Sequence, residues 1–279
     1  MNAGGRLGKS NYATELLSTD NIDIINERSL ELIKLNNNRK DIETTILNDI
    51  DFKKIEEEEK NIIIYYNPNI NEGLIGIIAA RLKDRFNKPS IVITSSGDVL
   101  KGSARSIPNY NIGLAIKNSL DQNIILNGGG HNMAAGFTLK KADLKIFENY
   151  MLKNFSDLGN LINNKFSYDA EISSIAFNKN FFNDIKRLEP FGTGNPIPTF
   201  LFKDLKIIKT TVLNNKHISC ILKSKIGFSI NSISFNIINT KIGKYLLNYK
   251  RDLNVVGQIR ENFWNNKNTL QLTIRDLIL

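Results

Sequence analysis

The apolar residues of this chain keep three different rhythms. Between Asn21 and Lys60, Ile25, Leu32, Leu35, Ile42, Ile46 and Ile50 recur at spacings of seven, three, seven, four and four, which keeps them on one helical face. The spacing predicts one long helix or a broken pair, with a single stripe that cannot form a domain by itself. Glu56–Glu59 reads as a solvated end, and Asp49 and Asp51, two apart on a helix, read as surface rather than as a metal pair. From Asn61 to Phe155 short apolar runs alternate with helical spacing. Strands are expected at Ile62–Tyr66, Ser90–Thr94 and Val99–Arg105, and helices at Gly73–Phe86, Ile112–Leu120 and Ala142–Phe155. That alternation predicts an α/β open sheet with helices packed on it. From Lys165 onward the period is two: Leu270, Leu272 and Ile274 alternate with Gln271, Thr273 and Arg275. Asn214-Asn215 and Asn265-Asn266 look like hairpin tips. Phe181–Leu188 and Lys241–Tyr249 look like short helices, and Glu189–Pro196 like a turn-rich connector. Short strands with a helix between them predict a mostly β barrel of the OB kind, with Phe200, Phe202, Phe228 and Phe235 in its core.

One stretch breaks all three rhythms. Ile124-Ile125-Leu126 feeds Asn127 and a triple glycine, Gly128-Gly129-Gly130, followed at once by His131-Asn132-Met133-Ala134-Ala135-Gly136. Three glycines give up side-chain packing and cost backbone entropy, so they belong where main chain approaches something closely or takes positive φ. Exposed amides there would form an anion nest, sharpened if a helix starts at His131. The competing reading is a tight strand-to-helix turn with a core histidine. Because His131 is one of only two histidines, we expect a phosphate or nucleotide site. Arg105, with Ser103 and Ser106 beside it, offers a planar fork and hydroxyl donors suited to phosphate.

Composition narrows the field. At 279 residues the chain has room for one large or two ordinary domains, and its 41% hydrophobic content is that of a globular protein. No apolar run approaches the length that spans a bilayer, and no signal pattern opens the chain. One cysteine, Cys220, excludes an internal disulfide and suits a cytoplasmic location; with two histidines it leaves no zinc set. The net charge of +9 is uneven: −4 over residues 1–60, +4 over 61–164 and +9 over 165–279. A basic C-terminal part suggests a polyanion partner, nucleic acid first. In the barrel, Phe263 and Trp264 are candidate stacking platforms, with Arg260 and Lys267 as charge partners.

The glycine–histidine stretch with Met133–Gly136 resembles the signature of DHHA1 domains in DHH-type phosphodiesterases. Asn2–Gly8, Gly73–Leu82, Lys101–Ser106 and Leu188–Pro196 narrow the resemblance to the RecJ family of single-strand-specific 5′→3′ DNA exonucleases, in the family's order and over nearly the whole chain. The resemblance implies four parts: residues 1–20, the end of a DHH domain; 21–60, a connecting helix; 61–160, a DHHA1 domain; and 165–279, an OB-like nucleic-acid-binding domain. It implies single-stranded DNA as partner and Mn²⁺ or Mg²⁺ for the full enzyme. The metal-binding aspartates and His-His pair would lie upstream of Met1, so the chain is expected to be the back half of such an enzyme, with no metal ligands of its own. A separate DHH-domain chain would then complete it. A non-catalytic strand-binding protein or a gene fragment is the alternative. His131 is the expected substrate-phosphate contact. Arg6, Lys101, Ser103, Arg105, Ser106, Gly129, Gly130 and Asn132 are expected along the nucleic-acid backbone. Ile70 and Asn71 stand where the family usually has a Trp-His pair.

Overall fold

The computed structural model describes residues 1–159, 167–192, 194–238, 240–248, 252–264 and 267–278. They fall in two compact units, Met1–Asn164 and Lys165–Leu279. The architecture is the expected one, an α/β unit followed by a β-barrel unit.

The first unit opens with helices. Asn2–Gly8, glycine-rich and loop-like by composition, begins with a short helix, α1 (Asn2–Arg6). Its glycines serve packing and closure: a β-carbon on Gly4 would lie 2.6 Å from the Lys9 carbonyl oxygen. Gly8 takes φ +82°, which lets the Lys9 amide reach back to the Gly4 carbonyl at 2.7 Å, a glycine-terminated helix end. After α2 (Asn11–Ser18), the predicted apolar stripe forms a broken pair, α3 (Ile22–Asp49) and α4 (Phe52–Glu57). Asn21 caps α3 by accepting from the Asp23 amide, and Asp51 caps α4 by accepting from the Lys54 amide. Of the stripe, Leu32 and Ile50 are buried, and Ile42 and Ile46 pack beside Ile50.

The sheet that follows has the order β1-β2-β3-β5-β4. Its strands are β1 (Ile63–Tyr66), β2 (Ser90–Ser96), β3 (Val99–Arg105), β4 (Asn127–His131) and β5 (Ala134–Lys140). Only β1 and β2 pair in parallel; they are joined by α5 (Glu72–Phe86). One face packs Val92 against Leu74, Ile78 and Leu82 of α5. The other packs Ile91, Leu100 and Phe137 against α6 (Ile112–Asp121) and α7 (Leu144–Gly159).

The triple glycine corrects the sequence reading. It is the edge strand β4, hairpinned to β5 through Asn132-Met133, and not a turn into a helix. None of its glycines takes positive φ. Gly128 is bare because a β-carbon would press Ile125 and Ile116, at 2.8 and 2.9 Å. His131 is exposed, not a core residue.

In the second unit, β7 (Phe200–Leu213), β8 (His217–Ser224), β9 (Ser229–Ser234), β10 (Leu253–Trp264) and β11 (Lys267–Ile278) close a barrel in the order β7-β8-β9-β11-β10, with β10 returning to β7. The two-residue strand β6 (Ala170–Glu171) adds in parallel to β7, and β9–β11 is the parallel contact inside the barrel. The helices α8 (Lys179–Lys186) and α9 (Lys241–Asn248) lie near the expected places. Asn214 and Asn215 both take left-handed φ at the β7–β8 tip, as a tight hairpin requires. Phe202, Leu205, Ile218, Leu222, Val255 and Leu272 fill the interior. Phe200 and Phe202 are buried as expected, but Phe228 and Phe235 are 46% and 55% exposed. Both sit at the limits of β9, where alternation no longer dictates an inward side. Asn265-Asn266 lies outside the described residues.

Candidate nucleic-acid interface

Strand pairing assembles the candidate residues of the first unit. Ser103 on β3 pairs with Gly136 on β5, which pairs with Gly129 on β4. Two residues along, Arg105 pairs with Ala134, and Ala134 with His131. Side chains two apart share a sheet face, so Ser103, Arg105, Gly129, His131 and Gly136 all belong to one face. α5 covers part of that face: a β-carbon on Gly76 would lie 2.8 Å from the Arg105 guanidinium and 3.1 Å from the Ser103 hydroxyl. The β5–β4 part is left open. There a shallow cleft of about 510 Å³ runs between Glu72 and Ile75 of α5 and a floor that includes Gly129, Gly136 and Thr138. Gly129 has no atom within 4 Å of where a β-carbon would stand, so the floor is bare backbone.

The charges around this face are unusual. Arg105 is half-buried; its Nη1 donates to the Ser103 hydroxyl at 3.1 Å and to the Ala104 carbonyl at 2.8 Å. Burial first, and then the like charge of Arg6, push its guanidinium below the ordinary value, though an arginine stays protonated. Arg6 comes from α1, which reaches the start of α5 because Gly73 has no side chain to block the Arg6 main chain. Arg6 Nη1 meets only the Gly73 carbonyl, at 3.4 Å. Among the described residues no carboxylate pairs with Arg6 or Arg105. Lys101, by contrast, is held by Glu72 at 2.6 Å, and the bond to Lys101 holds the Glu72 carboxyl below its usual range.

Two sequence expectations change, at Ser106 and Gly130. Ser106 is 1% exposed and donates to the Tyr110 carbonyl at 2.6 Å, so it braces the loop after β3 and offers nothing to a ligand. Gly130 is exposed but crowded: a β-carbon would collide with the Ala134 carbonyl oxygen, so its bareness serves the hairpin. Asn132 sits in the hairpin turn, where its carbonyl accepts from the Ile112 amide at 3.2 Å. Asn71, in the place of the family's histidine, caps α5 by accepting from the Gly73 amide at 2.8 Å. Glu72 was not foreseen; its place at the first turn of a helix beside a lysine-bearing strand emerges only from the fold.

In the barrel, Phe263 is 71% exposed and Lys267 is exposed, while the Trp264 side chain lies outside the described residues. Arg260 Nη2 donates to Gln258 Oε1 at 2.9 Å. Arg275 Nη2 donates to the same oxygen at 3.0 Å. Burial and the neighbouring Arg275 push the Arg260 guanidinium below its ordinary value. Gln258 and Arg275 were not singled out from the sequence; the alternation of Gln258 and Arg260 on β10 was the available signal.

Known proteins match this geometry. Residues 59–157 match the DHHA1 domain family, and residues 168–276 match the RecJ OB domain family. The single-stranded-DNA-specific exonuclease RecJ of Haemophilus influenzae is 30% identical over 256 residues, covering 87% of this chain and 44% of that protein. RecJ of Bacillus subtilis is 28% identical over 293 residues, covering 99% of this chain and 35% of that protein. The chain thus spans less than half the length of either relative. The crystal structure of RecJ in complex with Mn²⁺ from Thermus thermophilus shares the fold over 100% of this chain and 40% of that one, with TM-score 0.78 at 23% identity.

Proposed function

Because the chain joins a DHHA1 domain to a RecJ OB domain, and so belongs with the RecJ-like single-stranded-DNA exonucleases, we propose that it is the substrate-holding part of a 5′→3′ exonuclease acting in DNA repair and recombination. The observation that supports this reading is the half-buried Arg105, which no carboxylate among the described residues pairs with, on the same sheet face as the bare main chain of Gly129; burial and the like charge of Arg6 both push its guanidinium down. Such a guanidinium is stabilised by a phosphate. The backbone of an unpaired strand lies along the cleft. Arg105 and Arg6 hold its phosphates, the Ser103 hydroxyl is a further donor, and Gly129 lets the strand approach closely. His131 donates a hydrogen bond to a phosphate oxygen from the edge strand. In the barrel, Arg260 and Lys267 hold the trailing strand.

Hydrolysis by this family's route would use Mn²⁺ or Mg²⁺ to activate water. The described residues do not suit such an ion: among them no three His, Cys, Asp or Glu side chains gather into a ligand set. In this reading a DHH domain supplies the ligands. The second reading is a strand-binding protein without catalysis.

A 5′-labelled oligodeoxynucleotide separates these readings. The purified chain is expected to bind it in preference to duplex and to leave it intact with Mn²⁺. Adding a DHH domain in trans is expected to start chelator-sensitive degradation from the 5′ end. Binding without rescue supports the second reading. Chelator-sensitive degradation by the chain alone overturns the substrate-holding reading, and failure to bind sinks both.

A further inference from the structure

The barrel carries a second pair of arginines whose chemistry the fold leaves unfinished. Gln258 is only 9% exposed, and its amide is completely used. Its Nε2 donates to the Ile197 carbonyl at 3.0 Å and to the Thr199 hydroxyl at 3.2 Å. Its Oε1 accepts from Arg260 at 2.9 Å and from Arg275 at 3.0 Å. Two donors and two acceptor positions are all that a carboxamide has. The orientation is fixed by the same bonds, since a reversed amide would aim N–H groups at two cations. Gln258 is thus a neutral clasp that holds two guanidiniums together.

Bringing two cations to one neutral oxygen is unfavourable unless something negative joins them. Nothing in the described barrel does. No carboxylate pairs with either arginine: Glu261, next to Arg260, points to the opposite side of β10 and is held by Lys186 and Asn268. Asp276, next to Arg275, accepts from the Leu277 amide. Each guanidinium keeps most of its five N–H donors free for a ligand. The position of Arg275 is itself made by the sheet. Between Val256 and Gly257 the β10–β11 register slips by one residue, so Val256 opposes Asp276 and Gly257 opposes Ile274, and Arg275 is the unpaired residue of the bulge.

We propose that Arg260 and Arg275, oriented by Gln258, form a seat for one phosphodiester of an unpaired DNA strand on the barrel. The proposal rests on the strand-holding reading above and adds to it the clasp, the second arginine and the point of contact. Gln258 is a positioning residue; Arg260 and Arg275 touch the phosphate through planar forks, the geometry that favours arginine over lysine at such a seat.

The test is titration of the purified full chain with a labelled single-stranded oligodeoxynucleotide over a range of salt. Arg275→Ala is expected to weaken binding roughly threefold to tenfold. It should also shallow the log–log salt slope by about 0.7, the value for one phosphate contact on a single strand. Gln258→Glu is the sharper variant. A carboxylate in the clasp would pair with both arginines, which offsets the donors withdrawn from Ile197 and Thr199, so the chain is expected to stay folded while strand affinity falls. A purely structural role for the glutamine predicts no such split. Unchanged affinity and slope in Arg275→Ala, or undiminished binding by Gln258→Glu, overturns the seat while leaving the strand-holding reading in place. If the unmodified chain binds no strand, both fall. If an acidic peptide is bound and Arg275→Ala abolishes that binding but spares the strand, the pair belongs to a protein partner and the proposal is wrong.

Discussion

A β-carbon added at Gly130 would collide with the Ala134 carbonyl oxygen, whereas one added at Gly129 would meet nothing within 4 Å. The two neighbours therefore make opposite predictions. Gly130→Ala should lose about 1–3 kcal/mol in denaturant unfolding, because the β4–β5 hairpin must part to accept it. Gly129→Ala should fold as well as the parent, since its φ is not left-handed, yet it should bind an unpaired strand less tightly because the cleft floor is raised. Equal effects of the two on stability and on binding would return the glycine run to a packing role. Glu72 gives the converse case. Its carboxylate holds Lys101 at 2.6 Å at the rim of the same cleft. Both side chains are more than a third exposed, so the pair adds little to stability. Glu72→Gln frees Lys101 and removes a negative charge from the strand's path; affinity for single-stranded DNA should rise roughly threefold, with a steeper salt slope. Weaker binding would place Lys101 off that path. At this scale the sequence revealed candidate residue types, and the sheet places Arg105 and Gly129 on one face, Arg105 beneath α5 and Gly129 on the open part. It could not separate Ser103 from Ser106, because which hydroxyl is spent on Tyr110 depends on how the loop after β3 folds back.

Helix α3 was legible because its apolar spacing is a property of the helix alone, and its break fell where Asp51 recaps the chain. Its anchor was not legible. Glu43, on the apolar side of a helix, is buried and joins Arg39 Nη1 on its own helix to Arg81 Nε on α5, both at 2.6 Å. That one carboxylate ties the long helix to the helix that roofs Arg105. Glu43→Ala should cost about 1–3 kcal/mol by urea unfolding, since the loss leaves two arginines facing a cavity. A cost under about 0.5 kcal/mol would show that apolar contacts alone hold α3 to α5. Strand β4 was missed for a different reason. Glycine carries no polarity, so a run of three has no period to read, and its strand character comes wholly from pairing with β5. The hairpin turn Asn132-Met133 lacks the Asn-Gly or Asp-Gly signal that would have betrayed it. Helix α1 was hidden likewise by two glycines that look like a loop and are in fact a packing surface and a helix.

Across the molecule, the charge that rises from −4 through +4 to +9 along the chain is matched by arginines that no carboxylate among the described residues pairs with, Arg6 and Arg105 in one compact unit and Arg260 and Arg275 in the other. If both sets hold phosphates of the same strand, the chain is a bivalent ligand for it, and affinity must depend on strand length. A strand of about 6 nucleotides, near the short end of what one barrel covers, can engage one unit at a time. A strand of about 30 nucleotides exceeds what one barrel covers and leaves length for the other unit. On the long strand, Arg105→Ala and Arg275→Ala should each weaken binding, and their losses should multiply in the double variant, because the two sites share no partner. On the short strand only the variant in the tighter unit should matter, and the second substitution should add little. The comparison needs nothing about how the units are arranged, only that one chain carries both. If the single variants behave alike at both lengths, the units bind strands independently, and one of the two seats has a different occupant.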